Sequence, residues 1–177
     1  SPPDRLSLPG RIAPARPIVR AERRKPVNMN FRHCVLCALT EKAAAEISLW
    51  EWPPPYDVYS FKGRPNGYLM DRSTWGNEQF CLLSGDSLET VIGQVACQPD
   101  QGALWVGWAL APRLCGQGLG ALFVQKAVLE LRRLKGHEGR IFLKVAAANQ
   151  RAIRAYQKAG FHYRATEIDE VPYTGQP

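Results

Sequence analysis

The chain has 177 residues, of which 45% are hydrophobic and 22% are charged, and its formal net charge is +7 at pH 7. A chain of this length and composition can bury one hydrophobic core, which predicts a single globular domain. No apolar run is long enough to span a bilayer and no segment has the flanks of a signal peptide, which argues against a membrane protein and predicts a cytoplasmic location. The five cysteines, an odd number, predict reduced thiols rather than a disulfide framework.

Residues 1–28 carry much of the positive charge. This segment holds seven basic residues, two acidic residues and six prolines, so its net charge is +5 and only +2 remains for the other 149 residues. It has no hydrophobic period, and we interpret it as a disordered or loosely docked leader. Met29 is a candidate start of the native chain, so the prediction places a single domain over residues 29–177. The alternative is a basic arm that contacts nucleic acid or an acidic partner, although the nearly neutral body makes nucleic acid a disfavoured partner.

The first half of the predicted domain begins with a strand and a helix. Residues 31–39 have the pattern of a strand and residues 40–50 that of a helix, with Thr40 as its N-cap. Proline residues end this helix, and an aromatic segment and a polar loop follow. Three more strands, separated by turn residues, are predicted at 79–84, 90–97 and 104–110. Their short connections predict an antiparallel meander.

The second half alternates helices and strands, predicted at 119–134, 141–146, 149–160 and 161–168. Asn149 is a good N-cap for the second of these helices, and Gly160 stands just past its end. In the first helix, apolar spacing predicts a buried face made of Leu122, Phe123, Val128 and Leu131. The order of elements predicts a mixed α/β fold with a central, mostly antiparallel sheet and flanking helices.

The segment from Cys115 to Ala121 is the most informative part of the sequence. It reads Cys-Gly-Gln-Gly-Leu-Gly-Ala between a strand and a helix, where glycine N–H groups at the positive end of a helix dipole can bind a phosphate. A P-loop is excluded because Ala121 and Leu122 stand where Lys and then Ser or Thr are required. The dinucleotide fingerprint is excluded because its glycines follow G-x-G-x-x-G, whereas these follow G-x-G-x-G. The N–H groups of this turn still predict a pyrophosphate site, although the turn matches neither of these two motifs.

Two motifs together resemble the GNAT superfamily of N-acetyltransferases. Gly118 and Gly120 match the two small positions of the phosphate-binding motif of that family. Residues 144–161 resemble its strand, Asn-capped helix, Tyr and closing Gly-Phe, with Asn149 and Tyr156 at the matching positions. The two motifs occur in the order that the family requires.

The resemblance covers the chain from Asn30 to about Ile168 and implies the GNAT fold, in which the fourth strand bulges and splays from the fifth. It also implies direct transfer of an acetyl group from acetyl-coenzyme A to the primary amine of a small molecule or peptide. Tyr156 is the implied catalytic acid, because its hydroxyl would lie near the sulfur and could protonate the leaving thiolate. The implied cofactor-binding residues are Trp108, Ala109, Leu110, Cys115, Gly116, Gln117, Gly118, Leu119, Gly120, Ala121 and Asn149.

Three features depart from the family pattern. Cys115 stands where the family has Gln or Arg, so one phosphate contact is missing or comes from Arg113. No glutamate stands in the fourth or fifth strand, where some relatives carry a catalytic base. This leaves a catalytically weak or inactive coenzyme A-binding sensor or interaction module as the alternative function. The sequence also stops before a seventh strand, so either that strand is lost or a partner chain covers the edge, as in a homodimer.

An aromatic segment is predicted to form a wall of the acceptor pocket, with ordinary core packing as the equal alternative. Its residues are Trp50, Glu51, Tyr56, Asp57 and Tyr59. Aromatic rings and carboxylates suit a cationic amine, and the two carboxylates are the first candidates for a remote base.

The remaining cysteines and histidines give weaker signals. Cys34 and Cys37 have redox or metal spacing but lie in a strand pattern, which favours buried structural thiols. Cys115 precedes a helix beside Arg113, conditions that lower a thiol pKa, so a nucleophilic cysteine is a further alternative. No metal site is predicted, because the three histidines have no ligand spacing: His33, His137 and His162.

Overall fold

The computed structural model describes residues 31–85 and 87–163. Within these residues, five strands form one sheet in the order β1-β2-β3-β4-β5. They are β1 (Val35–Ala38), β2 (Gln79–Ser84), β3 (Thr90–Asp100), β4 (Ala103–Leu110) and β5 (Ile141–Leu143). The first four are antiparallel neighbours and β5 is parallel to β4. The predicted mixed α/β fold is therefore confirmed, while the predicted leader at 1–28 lies outside the described residues.

The strands differ from the prediction mainly at their ends. The predicted first strand is shortened because Phe31–His33 form a 3₁₀ turn, and only the residues from Val35 onward pair with β2. β3 runs past its predicted end at Cys97, because β3 and β4 continue pairing up to a tight hairpin. The two turn residues of this hairpin, Gln101 and Gly102, both have positive φ.

Four α-helices lie in the described part of the chain: α1 (Glu41–Ile47), α2 (Gly67–Met70), α3 (Gly120–Lys135) and α4 (Gln150–Lys158). The predicted N-cap of α1 is confirmed, since the Thr40 hydroxyl accepts a hydrogen bond from the Ala43 N–H at 3.2 Å. α1 ends before the predicted Trp50, because the N–H groups of Leu49 and Trp50 form tighter turns that bond three residues back. None of these helices combines the length and the apolar character needed to span a bilayer.

The buried face of α3 differs in part from the predicted one. Phe123 and Leu131 are buried as predicted, but Leu122 is 50% exposed and Val128 is only half-buried. α3 turns the side that carries Phe123 toward the sheet, because the Phe123 ring occupies the space beside Gly93. A Cβ added at Gly93 would lie 2.3 Å from that ring. Burial of such a ring contributes about 1.5–3 kcal/mol and fixes α3 against β3.

β4 pairs with the short β5 over only part of its own length, as the resemblance implied. The pairing joins residues 104–106 of β4 to Ile141–Leu143, and β5 ends before the predicted Ala146. Beyond Val106, the described residues provide no strand partner for this edge of β4. Because backbone groups alternate along a strand and those of Gly107 and Ala109 point toward β3, the backbone N–H and C=O groups of Trp108 and Leu110 face an open cleft.

Two further strand expectations differ from the structure. The register between β3 and β4 is unbroken, so β4 carries no bulge, and the register shift lies between Leu82 and Leu83 of β2 instead. Residues 161–163 form no strand, and the rest of the strand predicted at 161–168 lies outside the described residues.

Candidate active site

A cavity of about 580 Å³ lies at the splay between β4 and β5. Its walls come from the free edge of β4, the turn before α3, one face of α4 and the segment 52–69. The predicted cofactor-binding and catalytic residues that line it are Trp108, Ala109, Leu110, Cys115, Gly116, Gly118, Leu119, Gly120, Ala121, Asn149 and Tyr156. Gln117 is the exception, because its side chain turns outward and donates a hydrogen bond to the Arg113 carbonyl at 2.9 Å.

The turn before α3 presents unpaired N–H groups to this cavity. Gly116 and Gly118 both have φ of +75°, a conformation that favours glycine, and no atom lies within 4 Å of where a Cβ would project from either. No side chain caps α3. Within the described residues, the N–H groups of Gly118, Gly120 and Ala121 have no hydrogen-bond partner. These are the donors that a helix start offers to an anion.

α4 faces the same turn and brings three positive charges to the cavity. Gly120 and Ala155 are in close contact, since an added Cβ at Gly120 would lie 3.2 Å from the Cβ of Ala155. Arg151, Arg154 and Lys158 follow one side of α4 and line the cavity. Arg113, in contrast, donates to the Val91 carbonyl at 3.0 Å and lies 4.0 Å from a Glu46 oxygen. The guanidinium predicted as a substitute phosphate contact is thus engaged elsewhere, and α4 holds the cations that face the turn.

Asn149 caps α4 with its side chain. The Asn149 Oδ1 accepts a hydrogen bond from the Ala152 N–H at 3.2 Å, and the residue is only 7% exposed. This leaves its amide nitrogen as the group that can contact a bound molecule. The Tyr59 hydroxyl is buried beside the Asn149 side chain, which offsets part of the rise that burial causes in the Tyr59 pKa. It makes no well-formed hydrogen bond within the described residues, so a ligand in the cavity can supply one.

Tyr156 is a buried residue of α4 that packs against Trp108 of β4. Its ring packs edge-on against Trp108 with centroids 6.1 Å apart, and Trp108 packs in the same way against Phe123 at 6.5 Å. Burial raises the pKa of the Tyr156 hydroxyl to about 12, and the Trp108 side chain offsets only part of this rise. The hydroxyl is therefore protonated at neutral pH and can act as a proton donor.

The raised pKa of Tyr156 also predicts how stability falls at alkaline pH. The folded state holds this proton more tightly than the unfolded chain, whose tyrosines titrate near pH 10, so the contribution is complete below that pH and is lost as pH rises toward about 12. Between about pH 9 and about pH 11 we expect Tyr156→Phe to lose about 1 kcal/mol less unfolding free energy than the unmodified protein. Urea denaturation at both pH values measures the difference, and equal losses would contradict the assignment.

Cys115 is a neutral thiol, which corrects the expectation of an activated one. Its Sγ accepts a hydrogen bond from the Trp52 indole N–H at 3.4 Å and lies 3.5 Å from the carbonyls of Leu110 and Ala111, to which the S–H can donate. Burial raises the pKa of the Cys115 thiol by more than Trp52 and Arg151 lower it. Burial of the thiol therefore outweighs the position before a helix and the nearby positive charge, and Cys115 is not activated.

Only two of the five residues predicted to form a wall of the acceptor pocket line the cavity. Tyr56 and Tyr59 line the cavity, and the Arg151 guanidinium lies 3.8 Å from the centroid of the Tyr56 ring. Trp50, Glu51 and Asp57 lie outside it: the first is core, the second pairs with Lys62 at 3.3 Å, and the third is exposed. The aromatic segment thus contacts the α3 turn and α4 and brings no carboxylate to the cavity.

The sequence did not identify the polar residues at the far end of the cavity. We call this end the acceptor arm, formed by residues 64–69, Gln79, Gln94, Ala96, Gly107 and Ala109. Gln94 pairs with Ala109, and Ala96 pairs with both Gln79 and Gly107, so these side chains share one face of the sheet. The sequence did carry a signal for them, namely two glutamines within predicted strands, because glutamine is unusual at buried strand positions.

A carboxylate lies behind the acceptor arm. The Tyr68 hydroxyl donates to Glu78 Oε1 at 3.1 Å, and Gln98 Nε2 donates to the same oxygen at 2.7 Å. Burial, together with Glu78, raises the pKa of the Tyr68 hydroxyl. Glu78 itself does not line the cavity, so it reaches the arm only through Tyr68.

The model of the acetyltransferase (GNAT) family matches residues 43–161, which is more than half of the chain, and the protein therefore belongs to this family. No curated protein matches the chain in sequence.

Several solved structures share the fold. A GNAT-family acetyltransferase from Bacillus anthracis is 13% identical, with a TM-score of 0.56 over 76% of this chain and 82% of that one. Spermidine N-acetyltransferase from Vibrio cholerae, in complex with CoA and spermine, is 18% identical, with a TM-score of 0.53 over 78% and 86%. AAC(6')-Ib, in complex with paromomycin and acetyl-CoA, is 23% identical, with a TM-score of 0.54 over 77% and 86%. At these identities the similarity establishes the fold.

Proposed function

We propose that the protein is an N-acetyltransferase that moves an acetyl group from acetyl-coenzyme A to a primary amine by direct transfer. The observation that carries the proposal is the juxtaposition of three features at one cavity. These are the uncapped start of α3, the free edge of β4 and the buried, protonated Tyr156.

The residues present fit the cofactor. The N–H groups of Gly118, Gly120 and Ala121 would bind its pyrophosphate. Gly118, with φ +75° and no side chain, would let the phosphate approach the backbone closely. Arg154 and Lys158 lie beside this turn and would neutralise phosphate charge. The relatives with known structures include complexes with CoA and with acetyl-CoA, which supports the same cofactor here.

Each residue then has a defined task. Acetyl-coenzyme A supplies the acetyl group as a thioester. The backbone groups of Trp108 and Leu110 on the free edge of β4 would pair with the pantetheine arm and orient the reacting carbonyl. The neutral amine attacks from the acceptor arm and loses one proton, while the Tyr156 hydroxyl gives one proton to the departing thiolate and regains it from solvent.

No aspartate or glutamate lines the cavity among the residues that the structure describes. The amine must therefore arrive neutral, or lose its proton to water or through Tyr68 to Glu78. This absence is also the observation that favours the alternative function, a coenzyme A-binding sensor or interaction module with weak or no activity. The five thiols, all free, fit a reducing compartment, and we place the protein in the cytoplasm as part of the proposal.

A thermal-shift comparison with acetyl-coenzyme A, coenzyme A and a generic oligonucleotide, followed by a thiol-release assay over a panel of amines, tests the proposal. We expect stabilisation by both cofactor forms, none by the oligonucleotide, and amine-dependent thiol release. Stabilisation without release on any amine would favour the sensor, and absence of cofactor binding would overturn both functions.

A further inference from the structure

Two buried glutamines in the acceptor arm form a polar pair that the proposed mechanism does not use. Gln79 is 2% exposed and Gln94 is 7% exposed, and Gln94 Nε2 donates to Gln79 Oε1 at 2.9 Å. They lie on the sheet face that carries Ala109, next to the free edge of β4. Small residues surround them, since Ala96 and Gly107 form the neighbouring floor.

The bond between the two glutamines leaves one donor and one acceptor open to the cavity. Within the described residues, neither Gln79 Nε2 nor Gln94 Oε1 has a hydrogen-bond partner, and neither atom is sealed from the cavity. A buried amide must find partners for both of its polar atoms. An adjacent donor and acceptor of this kind complement a ligand that presents an N–H group beside a carbonyl oxygen.

The charge of the cavity disfavours a polycationic acceptor. The charged side chains that line it in the described part of the chain are all positive: Arg64, Arg151, Arg154 and Lys158. A cation moved from water into such a site loses hydration and meets no carboxylate among the described lining residues, which disfavours its binding. Polyamines and aminoglycosides carry several ammonium groups, so they fit this cavity poorly.

The lack of a carboxylate among the described lining residues also selects among amines by their basicity. The α-amino group at the N-terminus of a peptide has an ordinary pKa of about 7.7–8.0, whereas a lysine ε-amine has one of about 10.4. Near neutral pH a useful fraction of such peptide α-amines is already neutral, while almost all alkylamines are charged. A site without a base at hand can therefore use the α-amine of a peptide far more readily, and on this ground a peptide is favoured over a free amino acid.

We infer that the acceptor is an α-amino group next to a carbonyl carbon, as in a free amino acid or the N-terminal residue of a peptide. Gln94 Oε1 accepts from the amine and Gln79 Nε2 donates to the neighbouring carbonyl oxygen. Arg64, whose guanidinium donates to the Val58 carbonyl at 3.0 Å, contributes only its positive charge at this end of the cavity. This inference rests on the proposed N-acetyl transfer, because it names the substrate class of that reaction.

The first test measures binding to the full-length protein saturated with coenzyme A. Calorimetric titration uses L-alanine, the dipeptide alanyl-lysine, Nα-acetyl-lysine and spermidine. We expect one or both α-amines to bind at least about tenfold more tightly than the two alkylamines, which lack the paired amide contacts. Alanine and alanyl-lysine together tell a free amino acid from a peptide. Tighter binding of spermidine or Nα-acetyl-lysine, or no binding of either α-amine, would overturn the inference.

The second test reads the product. With acetyl-coenzyme A and alanyl-lysine, mass spectrometry should find the acetyl group on the α-nitrogen, and acetylation of the ε-nitrogen would overturn the inference. Failure of the proposed function gives a different result, namely no transfer to any amine. In that case the binding comparison still decides which amine the arm accepts.

Variants of Gln79 and Gln94 test whether the acceptor arm causes the preference for α-amines. Gln79→Met and Gln94→Met keep side-chain length and remove the amide, and Gln157→Met makes the same change at an exposed position of α4 outside the cavity. We expect each arm variant to weaken binding of the better α-amine about tenfold or more with coenzyme A affinity unchanged, and the control to change neither. If one arm variant fails to fold, the other suffices. Unchanged amine binding in a folded arm variant would overturn the inference.

Discussion

Gly118→Glu should raise the dissociation constant for acetyl-coenzyme A by about 100-fold or more. Gly118 has φ +75° and open space around it, so a side chain there would enter the volume reserved for the pyrophosphate. Loss of one charge-assisted hydrogen bond costs about 1.5–3 kcal/mol, and the added carboxylate would also repel the phosphates. Gly118 is a cleaner choice than Gly120, where a new Cβ would also press on Ala155.

The matched control for this change is Gly102→Glu. Gly102 has φ +80° and no atom within 4 Å of an added Cβ, but it lies in the β3-β4 hairpin, away from the cavity. Both variants carry the same charge change and a similar backbone strain of about 1–2 kcal/mol. Calorimetric titration of the two folded variants should find weak binding in the first and unmodified affinity in the second. Equal affinities would remove the turn before α3 from the cofactor site.

Local sequence signals predicted the parts of this fold that local interactions determine. Thr40 and Asn149 cap their helices as predicted, because a capping bond involves residues only three positions apart. The meander followed from alternating patterns and turn residues. The face of α3 was less predictable, because Leu122 and Phe123 fit helical spacing equally well. Only the space beside Gly93 on a distant strand decides between them.

The candidate site likewise contains residues that local sequence signals predicted and residues that they did not. The glycine turn, Asn149 and Tyr156 belong to contiguous motifs, and all of them line the cavity. Gln79 and Gln94 lie on different strands, and only the register of β2 with β3 brings them together. Two glutamines in predicted strands were visible in the sequence, but their separation along the chain explains why the sequence did not predict that they form one site.

Charge was misjudged for a related reason. Glu51 and Asp57 flank aromatic residues that do line the cavity, so their positions in the sequence suggested a cationic substrate. The chain turns between them, however, and Glu51 points to Lys62 while Asp57 faces solvent. Among the described residues, the charged side chains that line the cavity include the cations of α4, more than ninety residues later, and no carboxylate. Long-range packing thus gives this part of the lining a positive charge where the local sequence suggested a negative one.

Tyr156→Phe should lower kcat by about 10²–10⁴-fold, the usual contribution of a positioned general acid. The change removes only the hydroxyl oxygen, so the ring contacts with Trp108 and Phe161 remain and cofactor affinity should stay nearly unchanged. Because burial raises the pKa of this hydroxyl to about 12, the unmodified enzyme should show no loss of kcat from its ionisation up to about pH 11.

Steady-state transfer to the best amine, with the dissociation constant for acetyl-coenzyme A measured in parallel, separates the possible roles of Tyr156. Tyr163→Phe removes the same atom from a ring that is 76% exposed and should alter neither quantity. A fall in kcat at constant affinity identifies a group that acts in the transition state, because binding in the ground state is then unaffected. A parallel loss of affinity would make Tyr156 a binding or packing residue. An unchanged kcat would mean that the departing thiolate takes its proton from water, and Tyr156 would have no part in the chemistry.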